Sequence, residues 1–200
     1  MPIESCRILE GGMMADLISM EAHKNKKAAA RGFKEWRRIF RSITDFDEHT
    51  RWADLPDEVL LFFCEGCPES KNAFYDLLMR AHRLGNGHDF ETQRFDRLTT
   101  FMNAYFFITD QGRFECMRRL GWLERVPRGD KPIIEVVMAS ETYDYAALLE
   151  APEPTPAHPY YEEDQQSRGV DRAALMRKPV LDAIRQFKEK VQLETSATPH

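Results

Sequence analysis

With 200 residues, 42% hydrophobic and 30% charged, the chain has the length for a buried core and the composition of an ordinary globular domain. It shows no apolar run near the roughly 20 residues of a membrane helix, no basic-then-apolar secretory start, and too few cysteines (four) for a disulfide framework, so a cytoplasmic setting and no membrane partner are expected. The net charge of −5 is unevenly spread: residues 23–41 hold eight Lys/Arg against Glu35 alone, and residues 112–131 hold six against three acids.

Residues 1–24 form an N-terminal segment with a strand-like stretch at 6–9, a Gly11-Gly12 break and helical spacing from Met13. From 25 to 43 the spacing of Ala29, Phe33, Trp36, Phe40 and Ile43 predicts one amphipathic helix. Its other faces carry Lys27, Arg31, Lys34, Arg38 and Arg41, which read either as a solvated surface or as phosphate contacts. Asp54 and Pro56 introduce a short apolar segment through Phe63, read as a helix, although so short a run also suits a buried strand. Pro68 opens a helix that Gly85 closes. The next helix spans 90–108, with Phe95, Leu98, Phe101, Met102, Tyr105 and Phe106 expected inside.

Residues 109–112 read as a separator. A short helix then ends at Gly121, and two apolar β-prone runs flank a charged turn up to Met138. Helix, turn, helix and ribbon is the layout of a winged helix, so the expected fold is α+β, predominantly helical, with one β-hairpin inside a domain of residues 25–150. Arg125, Arg128 and Lys131 fall at the ribbon tip and Arg118 on the helix before it, where phosphate contacts belong. Glu115 and Arg119 read as a surface ion pair, which argues against that helix entering a groove. Ser140 opens a further short helix through Leu149. Residues 151–170 are proline-rich and acidic, and read as an extended linker able to cover a basic face. Residues 171–194 form a helical arm divided at Pro179, which folds back or joins a second subunit.

Cys64, Cys67, His82 and His88 follow the spacing C-x2-C-x14-H-x5-H, inside the window of a tetrahedral zinc site. The two cysteines also suit a redox pair at a helix N-terminus, or a plain pairing of core residue and helix cap. Phosphate-loop, hydrolase-elbow and metalloprotease motifs are missing, so neither an enzyme nor a cofactor is expected. The leading expectation is a non-enzymatic, nucleic-acid-associated or regulatory protein. The competing one is a protein-interaction module with a homo-oligomer built by the arm, and the zinc or thiol site is a minor third.

Overall fold

The computed structural model describes residues 9–41, 46–124, 131–139, 152–170 and 172–197. The expected helix at 25–43 is two: α1 (Leu9–Gly32) and α2 (Lys34–Ile39), with Phe33 in a turn between them. The turn keeps Ala29, Phe33 and Trp36 facing inward, because Phe33 N–H still donates to Ala29 O at 3.1 Å and Arg37 N–H to Phe33 O at 3.0 Å. α1 runs through Gly11 and Gly12, so the break expected there does not form. Trp36 anchors the main core. Its ring centroid lies 4.0 Å from that of Phe63, the rings of Phe33 and Phe46 meet it edge-on, and its Nε1 donates to Ala73 O at 3.1 Å.

A 3-10 turn (Trp52–Asp54) leads into α3 (Asp57–Glu65), which resolves the helix-or-strand ambiguity in favour of helix. Gly66, at φ +67°, ends α3. α4 (Pro68–Ala81) follows at once, with Pro68 in its first turn. A second 3-10 turn (Gly87–Thr92) is held on α4 because Gly87 N–H donates to Asp76 Oδ1 at 3.0 Å. A Cβ at Gly87 would lie 2.9 Å from Asn72 O, so only glycine permits this approach.

The winged-helix reading is overturned next. α5 (Phe95–Arg119) passes straight through the expected separator at 109–112. Its polar and small residues there fit a helix interior. Thr109 Oγ1 donates to Tyr105 O at 2.7 Å, Asp110 accepts from Arg177 at 2.8 Å, and Gly112 lets the Trp52 indole pack directly on the helix. Residues 133–138, expected as the second strand, form α6 (Ile133–Met138). Its Ile133, Ile134 and Val137 are buried, at helical spacing, against α1, α4 and α5. Among the described residues there is no strand, only an isolated bridge between Leu123 and Pro154. The chain is all-α there, not α+β with a hairpin. The ribbon tip with Arg125 and Arg128, the helix expected from Ser140 to Leu149, and the strand-like residues 6–8 lie outside the described residues.

The proline-rich stretch is also more ordered than its composition suggests. It holds α7 (Tyr161–Ser167), and its Asp164 is fully buried beneath Arg172, with carboxylate contacts of 3.0 and 3.2 Å. Glu163 pairs with Lys178 at 2.9 Å. These acids therefore meet α8 (Arg172–Arg177) and its flank rather than the basic helices. Pro179 divides α8 from α9 (Val180–Ala197), which folds back to bury Ala183 and Phe187 against α3 and α5. A second apolar cluster joins Phe114 and Met117 of α5 to Trp122, Leu175 and Met176. α5 thus belongs to both cores.

His158, buried beside Trp122 in this stretch, accepts at Nδ1 from Tyr160 N–H at 3.1 Å, and its Nε2 has no hydrogen-bond partner. Burial holds its pKa below the ordinary histidine value, against a weaker upward pull from Asp164. The unfolded chain therefore takes up a proton that the folded chain refuses, and stability falls as pH drops below about 6.5. His158→Asn keeps the acceptor without the titration. It is expected to remove part of the fall in Tm between pH 7.5 and 5.5, and an unchanged fall contradicts this role.

Candidate polyanion-binding surface

The basic residues of α1 and α2 divide into two groups. Arg31 and Arg37 are structural. Arg31 crosses to the end of α4 and donates from Nε to Arg80 O at 3.2 Å and from Nη2 to Ala81 O at 3.0 Å, the latter a carbonyl that the helix terminus leaves open. Arg37 donates to Ala30 O at 3.2 Å and to Phe46 O. Lys24, Lys27, Lys34 and Arg41 are exposed, as is Arg38, which bonds Glu35 at 2.8 and 2.9 Å.

Arg31 reaches α4 because α1 approaches it closely. A Cβ on Gly32 would lie 2.9 Å from Leu77 Cδ1 and 3.3 Å from Ile134 Cδ1, so a side chain there would force these side chains to shift. The close approach brings a second basic segment alongside. Burial and then the charge of Arg83 hold the Arg31 pKa below the usual arginine value. Glu35 is held below the usual carboxylate range, first by its hydrogen bond to Arg38, with Arg80 and His88 adding positive charge. Arg83 thus acts on Arg31, and Arg38, Arg80 and His88 act on Glu35, while Arg80 is itself bonded to Asp76.

Arg83 shows how the surface is built. It sits just past α4, where Arg83 N–H donates to Arg80 O at 3.1 Å and Leu84 N–H to Met79 O at 2.9 Å. This is the helix ending that normally places glycine in the left-handed position. Here arginine occupies it, at φ +61°. A side chain in that conformation costs about 1 kcal/mol, and what it adds is a cation beside Arg31.

Of the other expected phosphate contacts, Arg118 and Lys131 each meet an acid. Arg118 bonds Glu115 at 2.9 Å. The Glu115–Arg119 pair exists at 3.1 Å but is not a surface pair: Glu115 is buried, and Arg119 also donates to Trp52 O at 3.2 Å and Leu55 O at 2.8 Å. Lys131 lies before α6 and contacts Glu135 at 3.5 Å. Arg125 and Arg128 lie outside the described residues.

The zinc spacing is also taken apart. Cys64 is buried in the core, where the thiol of Cys116 lies 3.2 Å away. Cys67 caps α4, accepting from Ser70 N–H at 3.4 Å. His82 Nε2 bonds Val137 O at 3.0 Å, and His88 is exposed beside the basic surface. Among the described residues, no three His, Cys, Asp or Glu side chains gather where they could hold a metal ion. An open cleft of about 260 Å³ lies beside His49 and Asp54, but the neighbouring Asp47 carboxylate is already bonded to His49 N–H and the Thr50 hydroxyl.

The residues that sequence reasoning missed are Arg80, Arg83 and Cys116. The signal for the first two was a run of basic groups at 80–83 before Gly85, which could not be joined to α1 without the tertiary packing. No family model, curated protein or solved structure matches this chain. Among the described residues, no helix is long and apolar enough to cross a membrane.

Chemical denaturation separates structural from free cations. Arg31→Ala is expected to cost about 1 kcal/mol by orphaning the Ala81 carbonyl and removing a second bond from Arg80 O, and Lys27→Ala or Lys34→Ala to stay within about 0.5 kcal/mol. Arg83→Gly is expected to stabilise the protein by about 1 kcal/mol. Equal effects at Arg31 and Lys27, or a loss on Arg83→Gly, contradict the assignment.

Proposed function

We propose that this chain is a non-enzymatic, cytoplasmic, nucleic-acid-associated protein that holds phosphate groups on the surface of α1, α2 and the end of α4. The observation that carries the reading is the convergence of two chain-distant basic segments. Arg31 lies beside Arg83, and Glu35, an acid on this surface, is already bonded to Arg38 with Arg80 and His88 nearby. Arg38 and Arg83 are exposed there to meet a phosphate backbone, and Lys27 and Lys34 are exposed on the same two helices. Contacts of this kind give affinity and position without reading base sequence.

Affinity for a fluorescently labelled oligonucleotide is expected to fall steeply with salt, with a log–log slope of roughly −3 to −4 for a site neutralising about four phosphates. Lys27→Glu combined with Arg83→Glu is expected to weaken binding at least about tenfold, as loss of two phosphate contacts implies. Absence of binding at low ionic strength, or binding indifferent to both salt and charge reversal, overturns the reading.

A protein-interaction role is the second reading, favoured by apolar side chains that face outward. Phe95 is 85% exposed and Phe106 55% exposed, on one side of the N-terminal half of α5, although both were expected inside. Leu181 and Leu193 also face outward on α9, where an arm-mediated homo-oligomer would have to form. Light scattering distinguishes these: a monomer unaffected by Leu181→Ser with Leu193→Ser removes the arm-mediated assembly.

A further inference from the structure

Cys64 and Cys116 come from elements 52 positions apart in sequence, yet their thiols touch, with Cys116 Sγ donating to Cys64 Sγ at 3.2 Å. Both are at most 1% exposed, and both are free thiols. The pair stands at the contact of α3 with α5, across which α9 also packs. A disulfide bond is about 2.05 Å long, so the sulfurs need to close by roughly 1 Å.

We propose that Cys64 and Cys116 form a reversible intramolecular disulfide that ties α3 to α5 when a low-molecular-weight disulfide such as oxidised glutathione reaches the protein. The order of events follows from where the two cysteines stand. Cys64 lies in the last turn of α3, one residue before its end, and helix ends open locally far more readily than helix interiors. The space over the adjoining Gly66 is open, with no atom within 4 Å of a Cβ built there. Cys116 also lies in a last turn, three residues before the end of α5, but that turn is held by Arg119 through its bonds to Trp52 O and Leu55 O and remains in place. Cys64 is therefore the attacking thiol and Cys116 the resolving one.

The reaction balances as two exchanges. The Cys64 thiolate attacks one sulfur of the glutathione disulfide, forming a mixed disulfide and releasing one glutathione thiolate, which takes up the Cys64 proton. Cys116 then attacks the Cys64 sulfur, expelling the second glutathione, and its proton goes to that leaving thiolate. The protein loses two electrons and two protons, and both are gained by glutathione. In the closed state the core opposes the first step, since burial and the neighbouring Cys116 thiol push the Cys64 thiol well above the ordinary cysteine value. Arg113 and Arg119, both on α5, act in the opposite sense, and the Nε of Arg113 is buried without a partner. Once the end of α3 opens and burial is relieved, these charges favour the thiolate. Oxidation is consequently gated by opening of the α3 terminus.

The test uses the full chain incubated with oxidised or reduced glutathione, followed by blocking of free thiols, digestion and mass mapping. The expected result is a Cys64–Cys116 cross-linked peptide in the oxidised sample alone, with loss of two hydrogen masses, in both the parent protein and Cys67→Ser. The expected rise in thermal midpoint is about 10 °C, reversed by dithiothreitol. Cys116→Ala is expected to leave only a mixed disulfide on Cys64. Should that variant fail to fold, the map of Cys67→Ser still decides the matter. Cys64 and Cys116 recovered as free thiols after prolonged oxidation, or a bond from Cys64 to Cys67 instead, overturns the proposal.

Discussion

The close seating of α1 and α2 on α4 is the constraint on which the basic surface depends. Gly32 favours it, because a Cβ there would lie 2.9 Å from Leu77 Cδ1 and force that side chain to shift. Trp36 Nε1 bonded to Ala73 O fixes the height of α2 on α4, and Arg31 donates to the carbonyls of residues 80 and 81. One contact thus does two things. It buries the apolar stripe of α1 and α2, and it brings the cations on the other side of those helices up to Arg80, Arg83 and His88. Loss of the close approach would separate two basic segments that neither helix could assemble alone.

α5 supplies the second constraint, which concerns polar groups in the interior. A helix that runs through two cores cannot leave Thr109, Asp110 and Glu115 without partners. Thr109 turns back on its own helix, Asp110 meets Arg177, and Glu115 meets Arg118 and Arg119. Arg119 in turn collects carbonyls before α3 and lies against Asp57. Arg177 thereby ties α8 to α5 by charge, and Lys188 bonded to Glu65 at 2.6 Å ties α9 to α3. The thiol pair occupies the same α3–α5 contact, so a cross-link there would act on the junction that already unites the fold.

Much of the helical order was legible in the sequence. The spacing of Phe74, Leu77, Leu78 and Ala81, with Pro68 at one end, located α4, and Pro179 marked the division between α8 and α9. What failed has identifiable causes. Thr109-Asp110-Gln111-Gly112 looks like a separator only while Trp52 and Arg177 are unseen. Ile133–Met138 is a short β-branched run, and such runs suit a buried helix as well as a strand; packing against α1, α4 and α5 decided it. Glu115 and Arg119 have the spacing of a surface pair, and nothing local reveals that they are buried. The candidate surface was half visible: the α1–α2 cations could be read from composition, but their meeting with Arg83 and His88 could not.

The central claim is that the cations of α1 and α2 and those at the end of α4 act as one polyanion-binding surface. Backbone amide shifts during titration with a short oligonucleotide at low salt test this most directly. The account predicts that residues 24–41 and 80–88 shift together with one saturation curve, while the amides around Arg118 and Lys131 stay in place. Shifts confined to residues 113–138, or two separate saturation curves for the two segments, would contradict it.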